Sequence, residues 1–205
     1  PWLEFCAAFL AAGLVLSVQD AAIATDSTDS DANPTTGLTG CYVLNSGDNN
    51  TTVDAGIYRT ASLGDRLWVD TNGDGLQNDG ATGINGRTVT LIGGGADGLI
   101  NGVGDTTATT TTAGDGNYAF TGLTPGVQYQ VLFGDKPAGT VFTTRDVGAN
   151  GSDASDSDAD LVTGRTQIVT LASGETNTTL DAGVYTPVSI GDRVWEDTNA
   201  NGLQD

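Results

Sequence analysis

A short run of oxygen-bearing side chains holds the clearest chemistry in the sequence. Residues 70–76 read DTNGDGL, so carboxylate or amide side chains stand at the first, third and fifth positions of the run and a glycine stands at the sixth. Calcium takes roughly six to eight oxygen ligands, and alternate residues of a tight turn can supply them. Position 81 is alanine, so the glutamate that often closes such a loop is absent. The predicted ligands are Asp70, Asn72, Asp74, the Leu76 carbonyl and, to close the shell, Asp79 or Asn78.

The same pattern returns near the end of the chain. Residues 197–203 read DTNANGL, so Asn201 stands where the first loop has Asp74. The predicted ligands of this loop are Asp197, Asn199 and Asn201. With one carboxylate fewer, it is expected to bind a divalent cation more weakly.

A second acidic cluster is also a candidate ion site. Its members are Asp153, Asp156, Asp158 and Asp160, and an earlier counterpart contains Asp26, Asp29 and Asp31. Because side chains two residues apart lie on one side of an extended chain, the later cluster would gather like charges at one point. Such a cluster is costly without a cation, so an ion site is predicted, with a solvated loop as the alternative. For the loop from Asp97 to Asp105, an ion site and an ordinary polar hairpin stay equally open.

The overall charge and the missing residue types exclude several classes of function. The chain has 7 basic and 26 acidic residues, a net charge of −19, and no histidine. Such an acidic chain is not expected to bind nucleic acid or to enter an anionic membrane. Without histidine there is no imidazole base for a serine or cysteine nucleophile, and zinc would lack its usual ligands. The hydrophobic content of 38% is sufficient for packed cores.

An internal repeat organises the chain. Residues 51–68 match residues 178–195 at an offset of 127, and the match extends from about residue 28 to residue 78. The predicted division is therefore the later part of one domain at 1–58, a complete domain at 62–186, and the start of a third at 189–205. Residues 12–20 match residues 138–146 with one residue of slippage, so the apolar segment from Phe5 to Val18 is assigned to a strand region of the first copy rather than to a signal peptide. The short connections predict neighbouring domains that are restrained relative to each other.

Within the complete copy, short runs of β-branched and aromatic residues alternate with polar ones between glycine-rich turns. The predicted strands are 63–69, 87–92, 106–112, 117–121, 127–133, 140–144, 166–171 and 178–185. In the fifth of these, Tyr129, Val131 and Phe133 are expected on one face. The predicted fold class is all-β, as tandem antiparallel sandwiches of the prealbumin or immunoglobulin-like kind with seven to eight strands per domain.

Several other residues leave alternatives open. Cys6 and Cys41 lie in strand regions of the first copy and form either a disulfide or two buried free thiols. Trp68 and Trp195 are expected as core or domain-junction residues rather than as sugar-stacking platforms. The Thr106 to Thr112 run is a potential carrier of glycans, although polar strand residues are the default expectation. The N-x-S/T positions raise the same possibility; they are Asn49, Asn50, Asn150 and Asn177.

Taken together, the motifs resemble the SdrD B-like domain, the B-type repeat of serine–aspartate-repeat surface proteins, which is itself similar to the collagen-adhesin B module. The resemblance rests on residues 63–77, 116–126, 156–160, 180–185 and 190–205. It implies a prealbumin-like sandwich, calcium binding, and service as a stalk between a cell surface and a distal head.

One feature of the collagen-adhesin-type modules is not matched. They often carry a Lys-to-Asn crosslink with lysine on the first strand, where this chain has Arg66 and Arg193. Its only lysine, Lys136, precedes Pro137 in a predicted loop. No crosslink is therefore expected.

The function predicted is structural and extracellular, on the cell surface or secreted. Calcium would stiffen a rod of neighbouring copies of the same domain, in a cell-surface stalk or in a self-assembled filament. The alternative is an adhesive module that binds a host protein or polysaccharide through its loops. A hydrolase would need two carboxylates across a cleft, one with a raised pKa, and ranks last. No enzymatic activity, nucleic-acid partner or membrane insertion is predicted.

Overall fold

A computed structural model describes residues 13–21, 25, 27–80, 82–147 and 154–204. The strands in these ranges are β1 (Leu14–Leu16), β2 (Ile57–Arg59), β3 (Ala61–Leu63), β4 (Leu67–Val69), β5 (Thr88–Gly93), β6 (Thr106–Thr111), β7 (Phe120–Leu123), β8 (Gln128–Leu132), β9 (Val141–Phe142), β10 (Val169–Thr170), β11 (Thr176–Asn177) and β12 (Ala182–Tyr185). A 3₁₀ turn, Gly95–Asp97, lies between β5 and β6. The fold is all-β, as predicted.

The strands form four small sheets. The orders are β10-β8-β5-β6, β11-β3-β7, β4-β12-β9 and, in the first copy, β1-β2. In β8, Tyr129 and Val131 are buried while their polar neighbours are less so, and Phe133 follows on the same face. The alternation that predicted this strand therefore places its aromatic face in the core.

The core lies between the sheets of the complete copy. Its fully buried members include Leu63, Val89, Val131, Leu180 and Val184, which come from four different parts of the chain. Trp68 is also fully buried, as expected for a core residue. Within the described residues, no helix has the length and apolar character needed to cross a bilayer.

The first and last strands of the complete copy differ from the expectation. Each is divided in two, and they pair in parallel, β3 with β11 and β4 with β12, whereas most other ladders are antiparallel. The division lets each half join a different sheet. The two ends of the module are thus hydrogen-bonded side by side.

The bend between β3 and β4 depends on Gly64. A Cβ atom at this position would lie 2.2 Å from the Tyr118 carbonyl oxygen, which belongs to backbone that cannot move aside. The Gly64 N–H donates to the Asn177 carbonyl at 3.0 Å, so the bend is also bonded to the last strands. A side chain would push these strands apart.

Hydrogen bonds recur at the repeat offset. In the complete copy, the Asp158 N–H donates to the Asp181 carbonyl at 3.0 Å; in the first copy, the Asp31 N–H donates to the Asp54 carbonyl at 3.0 Å. The return bonds, from the N–H groups of Asp181 and Asp54 to the side chains of Asp158 and Asp31, are 2.9 and 2.8 Å long. The first copy therefore repeats the backbone arrangement around its own acidic segment.

Replacing Gly64 by alanine is expected to destabilise the full chain by about 1–3 kcal/mol, because the added methyl group overpacks a rigid backbone contact. Urea unfolding followed by tryptophan fluorescence measures the change. Gly134→Ala is the matched control, since its Cβ would meet only the Leu132 side chain, at 3.7 Å. Equal stability of the two variants would show that the bend tolerates a side chain.

Candidate metal centre

The predicted calcium loop begins directly after β4, with Asp70. This side chain is fully buried. Its Oδ1 accepts the Gly73 N–H at 2.7 Å, and its Oδ2 accepts the Gly75 N–H at 2.8 Å and the Thr143 hydroxyl. The loop is thus wound around one buried carboxylate, and Thr143 holds that carboxylate against the strand region after β9.

The remaining loop residues bond to one another. Asn72 Oδ1 accepts the Asp74 N–H at 2.9 Å, and Asp74 Oδ1 accepts the Leu76 N–H at 2.9 Å. Asp79 Oδ2 accepts the Thr71 N–H at 2.7 Å and so closes the loop near its start. Hydrogen bonds from Asn78 and Leu76 lower the pKa of Asp74. The predicted ligands therefore share one compact turn.

The third copy folds its loop in the same way. The Gly202 N–H donates to Asp197 Oδ2 at 2.7 Å, the counterpart of the bond from Gly75 to Asp70. Asn199 and Asn201 accept N–H bonds at 3.1 and 2.8 Å, as Asn72 and Asp74 do in the first loop. Because little else of this copy is in the chain, the conformation is encoded in the loop itself.

The second predicted cluster lies against the first loop. The Gln77 N–H donates to the Ser155 carbonyl at 2.8 Å, and the Ser157 N–H donates to the Gly75 carbonyl at 3.1 Å. Asp156 and Asp158 on this segment are buried, with exposed fractions of 5% and 1%. The structure therefore brings the two predicted clusters together, although they are about eighty residues apart in sequence.

Asp160 does not join this group. Its Oδ1 accepts the N–H groups of Val162 and Thr163 and the Thr163 hydroxyl, which lowers the pKa of Asp160. Asp156 and Asp158 are buried on one segment, whereas Asp160 caps a turn of its own, so the structure does not bring the three carboxylates to one point. The reason is local, since the turn at 160–164 uses Asp160 to satisfy its own backbone.

Two carboxylates that the sequence analysis did not select complete the interior cluster. Asp65 lies at the bend after β3, and Asp181 lies at the matching break before β12. Asp181 is fully buried; its Oδ2 accepts from Gln77 Nε2 at 2.7 Å, and its own N–H donates to Asp158 Oδ2 at 2.9 Å. Gln77 thus links the predicted calcium loop to Asp181.

The electrostatics of this pair favour a bound positive charge. Burial is the largest cause that raises the pKa of Asp181 to about 10, followed by the charges of Asp65 and Asp158. Burial also raises the pKa of Asp65 to about 6, against the lowering effects of its hydrogen bond with Asp181 and of Arg66. Burial and the same acids raise the pKa of Tyr118, whose hydroxyl donates to the Leu180 carbonyl. At neutral pH the interior therefore favours a proton or another cation.

The residues suit calcium by donor type, although their present arrangement is not a closed shell. Carboxylate, amide and backbone oxygens are the ligands calcium prefers. Two buried oxygens here, Asp181 Oδ1 and Gln167 Oε1, accept no hydrogen bond within the described structure. In the described ranges, however, no three carboxylate or thiol side chains lie close enough together to hold a metal ion. Calcium binding by these loops stays a prediction.

The other predicted positions are more scattered. In the first copy Asp31 is buried and accepts the Tyr42 hydroxyl at 3.1 Å, Asp29 is half-buried, and Asp26 lies outside the described residues, as does Asp153. Asp97 accepts the N–H groups of Leu99 and Val103, as expected for an ordinary polar hairpin.

The two cysteines and the single lysine can be placed as follows. Cys41 carries a free, exposed thiol, and Cys6 lies outside the described residues, so their disulfide is untested. Lys136 donates to the Thr140 carbonyl in the loop before β9. On the first strand, Arg66 bonds to Asp115 at 2.7 Å.

A signal for Asp65 and Asp181 was present in the repeat. Asp65 returns as Asp192 within the motif GDR, and Asp181 has its counterpart in Asp54 within the motif DAG. Acidic residues that interrupt apolar strands at repeated positions indicate buried charge. What the repeat does not reveal is that the two motifs meet, because that follows from the parallel pairing of the first and last strands.

The raised pKa values predict that the metal-free chain loses stability as pH rises. Protons that the fold retains are released from the unfolded chain above pH ~4. The contribution of these two groups to the free energy of unfolding is therefore fully present below pH ~4. It is lost as pH rises through the pKa of Asp65, about 6, and then through the pKa of Asp181, about 10. With a chelator present, thermal unfolding should occur at higher temperature at pH ~5 than at pH ~8.

Asp181→Asn tests the source of this dependence. The amide keeps an acceptor for Gln77 and offers Asp65 a donor, so the variant should gain about 1–3 kcal/mol at pH ~8 in chelator and show a smaller pH slope. The control is Asp192→Asn, which removes an exposed charge from the third copy. A variant with the wild-type pH slope would exclude the pair as the cause.

Comparison with known proteins identifies the family. A family model described as the SdrD B-like domain matches residues 61–184. Serine-aspartate repeat-containing protein D of Staphylococcus aureus (strain Newman) is 41% identical over 172 residues, which is 82% of this chain and 12% of that protein. Serine-aspartate repeat-containing protein F of Staphylococcus epidermidis is 41% identical over 165 residues, which is 79% of this chain and 8% of that protein. The chain thus spans about a tenth of the length of these relatives, and it belongs to the SdrD B-like domain family.

Proposed function

We propose that this chain is part of an extracellular rod in which calcium, bound by the acidic loops, stiffens tandem β-sandwich modules. Its place would be a cell-surface stalk or a secreted filament, with neighbouring copies of the same domain as partners. The role is mechanical, and no catalytic step is assigned. Membership of the family, with relatives named for serine–aspartate repeats, supports a repeat-protein context.

The observation that carries the proposal is the pair of carboxylates behind the loop, of which Asp181 is fully buried and Asp65 is half-buried. Asp65 and Asp181 keep raised pKa values because burial and neighbouring acids disfavour their charged forms. Calcium held by the predicted loop ligands and by Asp156 and Asp158 would supply positive charge beside this pair. Since Gln77 joins the loop to Asp181, binding at the loop would also stabilise the interior.

The pairing of the module's ends supports a mechanical role. The chain enters the complete copy at β3 and leaves it after β12, and these end strands run side by side in parallel through the ladders β3–β11 and β4–β12. A pull on the two chain ends would therefore slide the strands along each other and load their hydrogen bonds together. This geometry resists extension better than one in which bonds open one at a time.

The junction with the first copy is short and bonded. Only Thr60 separates β2 from β3. The Arg59 N–H donates to Ser173 Oγ at 2.9 Å, and the Arg59 carbonyl accepts the Gly174 N–H at 3.1 Å. Arg59, the last residue of β2, is thus hydrogen-bonded to the complete copy, which favours a restrained junction.

Calcium is expected to raise the unfolding temperature of the full chain. One site that binds only the folded state adds about 2.7 kcal/mol when free calcium is ~100 times its dissociation constant. Calorimetric titration and thermal unfolding, each with calcium or a chelator, measure binding and stabilisation.

Asp74→Asn gives the first loop the residue found at Asn201 of the third loop and should weaken this effect, whereas Asp192→Asn should not. Magnesium serves as the control ion, because it demands tighter octahedral geometry than these loops offer. Absence of heat and of stabilisation on calcium addition would refute the metal part of the proposal.

The rod itself is tested by solution scattering. Small-angle X-ray scattering of the full chain should give a longer, narrower distance distribution in calcium than in chelator, because bound ions restrain the modules. A variant with a Gly-Ser insertion of about four residues after Thr60 is the flexible reference. Identical curves for the wild type and this insertion, with calcium present, would contradict a stiff junction.

A further inference from the structure

The outer edge of the largest sheet is formed by β6. The sheet order is β10-β8-β5-β6, and β6 pairs with β5 through six consecutive residue pairs, from Thr88 with Thr111 to Gly93 with Thr106. At the opposite edge, β10 has only two residues. One edge of the sheet is therefore short, and the other is long and regular.

The register shows which backbone groups of β6 face outward. The Thr112 N–H donates to the Arg87 carbonyl at 2.9 Å, and the Arg87 N–H donates to Thr112 Oγ1 at 3.0 Å, so this pair lies at a hydrogen-bonded position of the ladder. In an antiparallel ladder such pairs alternate, so Thr110, Ala108 and Thr106 bond to β5. The N–H and C=O groups of the intervening residues, Thr107, Thr109 and Thr111, consequently point away from β5, to the side on which the described part of the chain places no further strand.

This edge lacks the usual protection. Natural sheets guard long edges with charged residues, proline, bulges or covering segments. Residues 106–111 read TTATTT, without charge or proline, the register with β5 is unbroken, and all but Thr110 are exposed. A strand of this kind is suited to accept another extended strand through its backbone.

We propose that β6 is a docking edge for the β6 strand of a second copy of this chain, added antiparallel about a twofold axis at Thr109. The two four-stranded sheets would then form one sheet across both molecules. Thr109 would face its own symmetry mate, and Thr107 of each copy would face Thr111 of the other. This register uses all three outward residues of each strand.

A second copy fits this edge better than a free peptide does. Another β6 already presents outward donors and acceptors at the required two-residue spacing, so it loses little conformational entropy on pairing. The chain carries a net charge of −19, which repels copies at most surfaces, but β6 itself has no charge. In the antiparallel register Asp105 of one copy lies opposite Ala113 of the other, whereas a parallel register would place the two Asp105 residues side by side.

The association is expected to be weak for one module and stronger in an array. One strand pair buries little surface compared with a standard interface. A rod with an edge of this kind on each module would gain from many simultaneous contacts. The proposal concerns lateral contact between rods and does not depend on calcium binding.

Sedimentation velocity of the full chain in physiological salt tests the contact. Wild type should show a concentration-dependent dimer, with chelator as well as with calcium. Thr109→Lys places charge against charge on the axis, and Thr109→Pro removes an outward N–H without touching the ladder to β5. Both should weaken dimerisation at least about tenfold, whereas Val162→Lys, an equal charge on an exposed loop, should not.

Cysteine crosslinking tests the register. In a Cys6→Ser, Cys41→Ser background, Thr109→Cys should form a dimer disulfide readily, because facing residues of a bonded pair lie about 5.5 Å apart at Cα. Thr107→Cys should crosslink more slowly, since its mate is Thr111. Equal rates at the two positions would indicate a parallel arrangement and overturn the twofold model.

A chain that stays monomeric, or a dimer unaffected by the Thr109 variants, would overturn the docking edge while leaving the calcium proposal untouched.

Discussion

The structure depends on two carboxylates, one fully buried and one half-buried, that lie where its first and last strands pass from one sheet to another. Asp65 and Asp181 lie at the two breaks, and they meet because β3 and β4 pair in parallel with β11 and β12. Burial makes their charged forms costly, as the raised pKa values show. Positive charge at this point, from protons or from a metal ion, is therefore expected to stabilise the module.

The predicted calcium loop is hydrogen-bonded to this pair of carboxylates and to the segment beside it. Its Gln77 side chain bonds to Asp181, and its backbone bonds to the segment that carries Asp156 and Asp158. Its first carboxylate, Asp70, also bonds to Thr143 beyond β9. A change of charge at the loop would consequently alter the stability of the first and last strands, to which the chain ends of the module are attached.

Local features of the fold were predictable from sequence, whereas the meeting of distant segments was not. Alternation predicted the buried face of β8, and the loop at 197–203 shows that its turn forms from its own residues. The split end strands, their parallel pairing and the approach of Asp65 to Asp181 follow from tertiary packing around Gly64. Spacing in an extended chain did not reveal that Asp160 caps the turn at 160–164 with its own side chain.

The distribution of charge gives the module two different surfaces. Acidic groups gather in the loops and behind them, while the outward backbone groups of the uncharged β6 strand meet no further strand among the described residues. Repulsion between copies limits contact at the acidic surfaces, and the neutral edge is where two molecules can approach most closely. Cations that neutralise the loops would also reduce this repulsion, so stiffening along the rod and contact between rods would be strengthened by the same ions through separate residues.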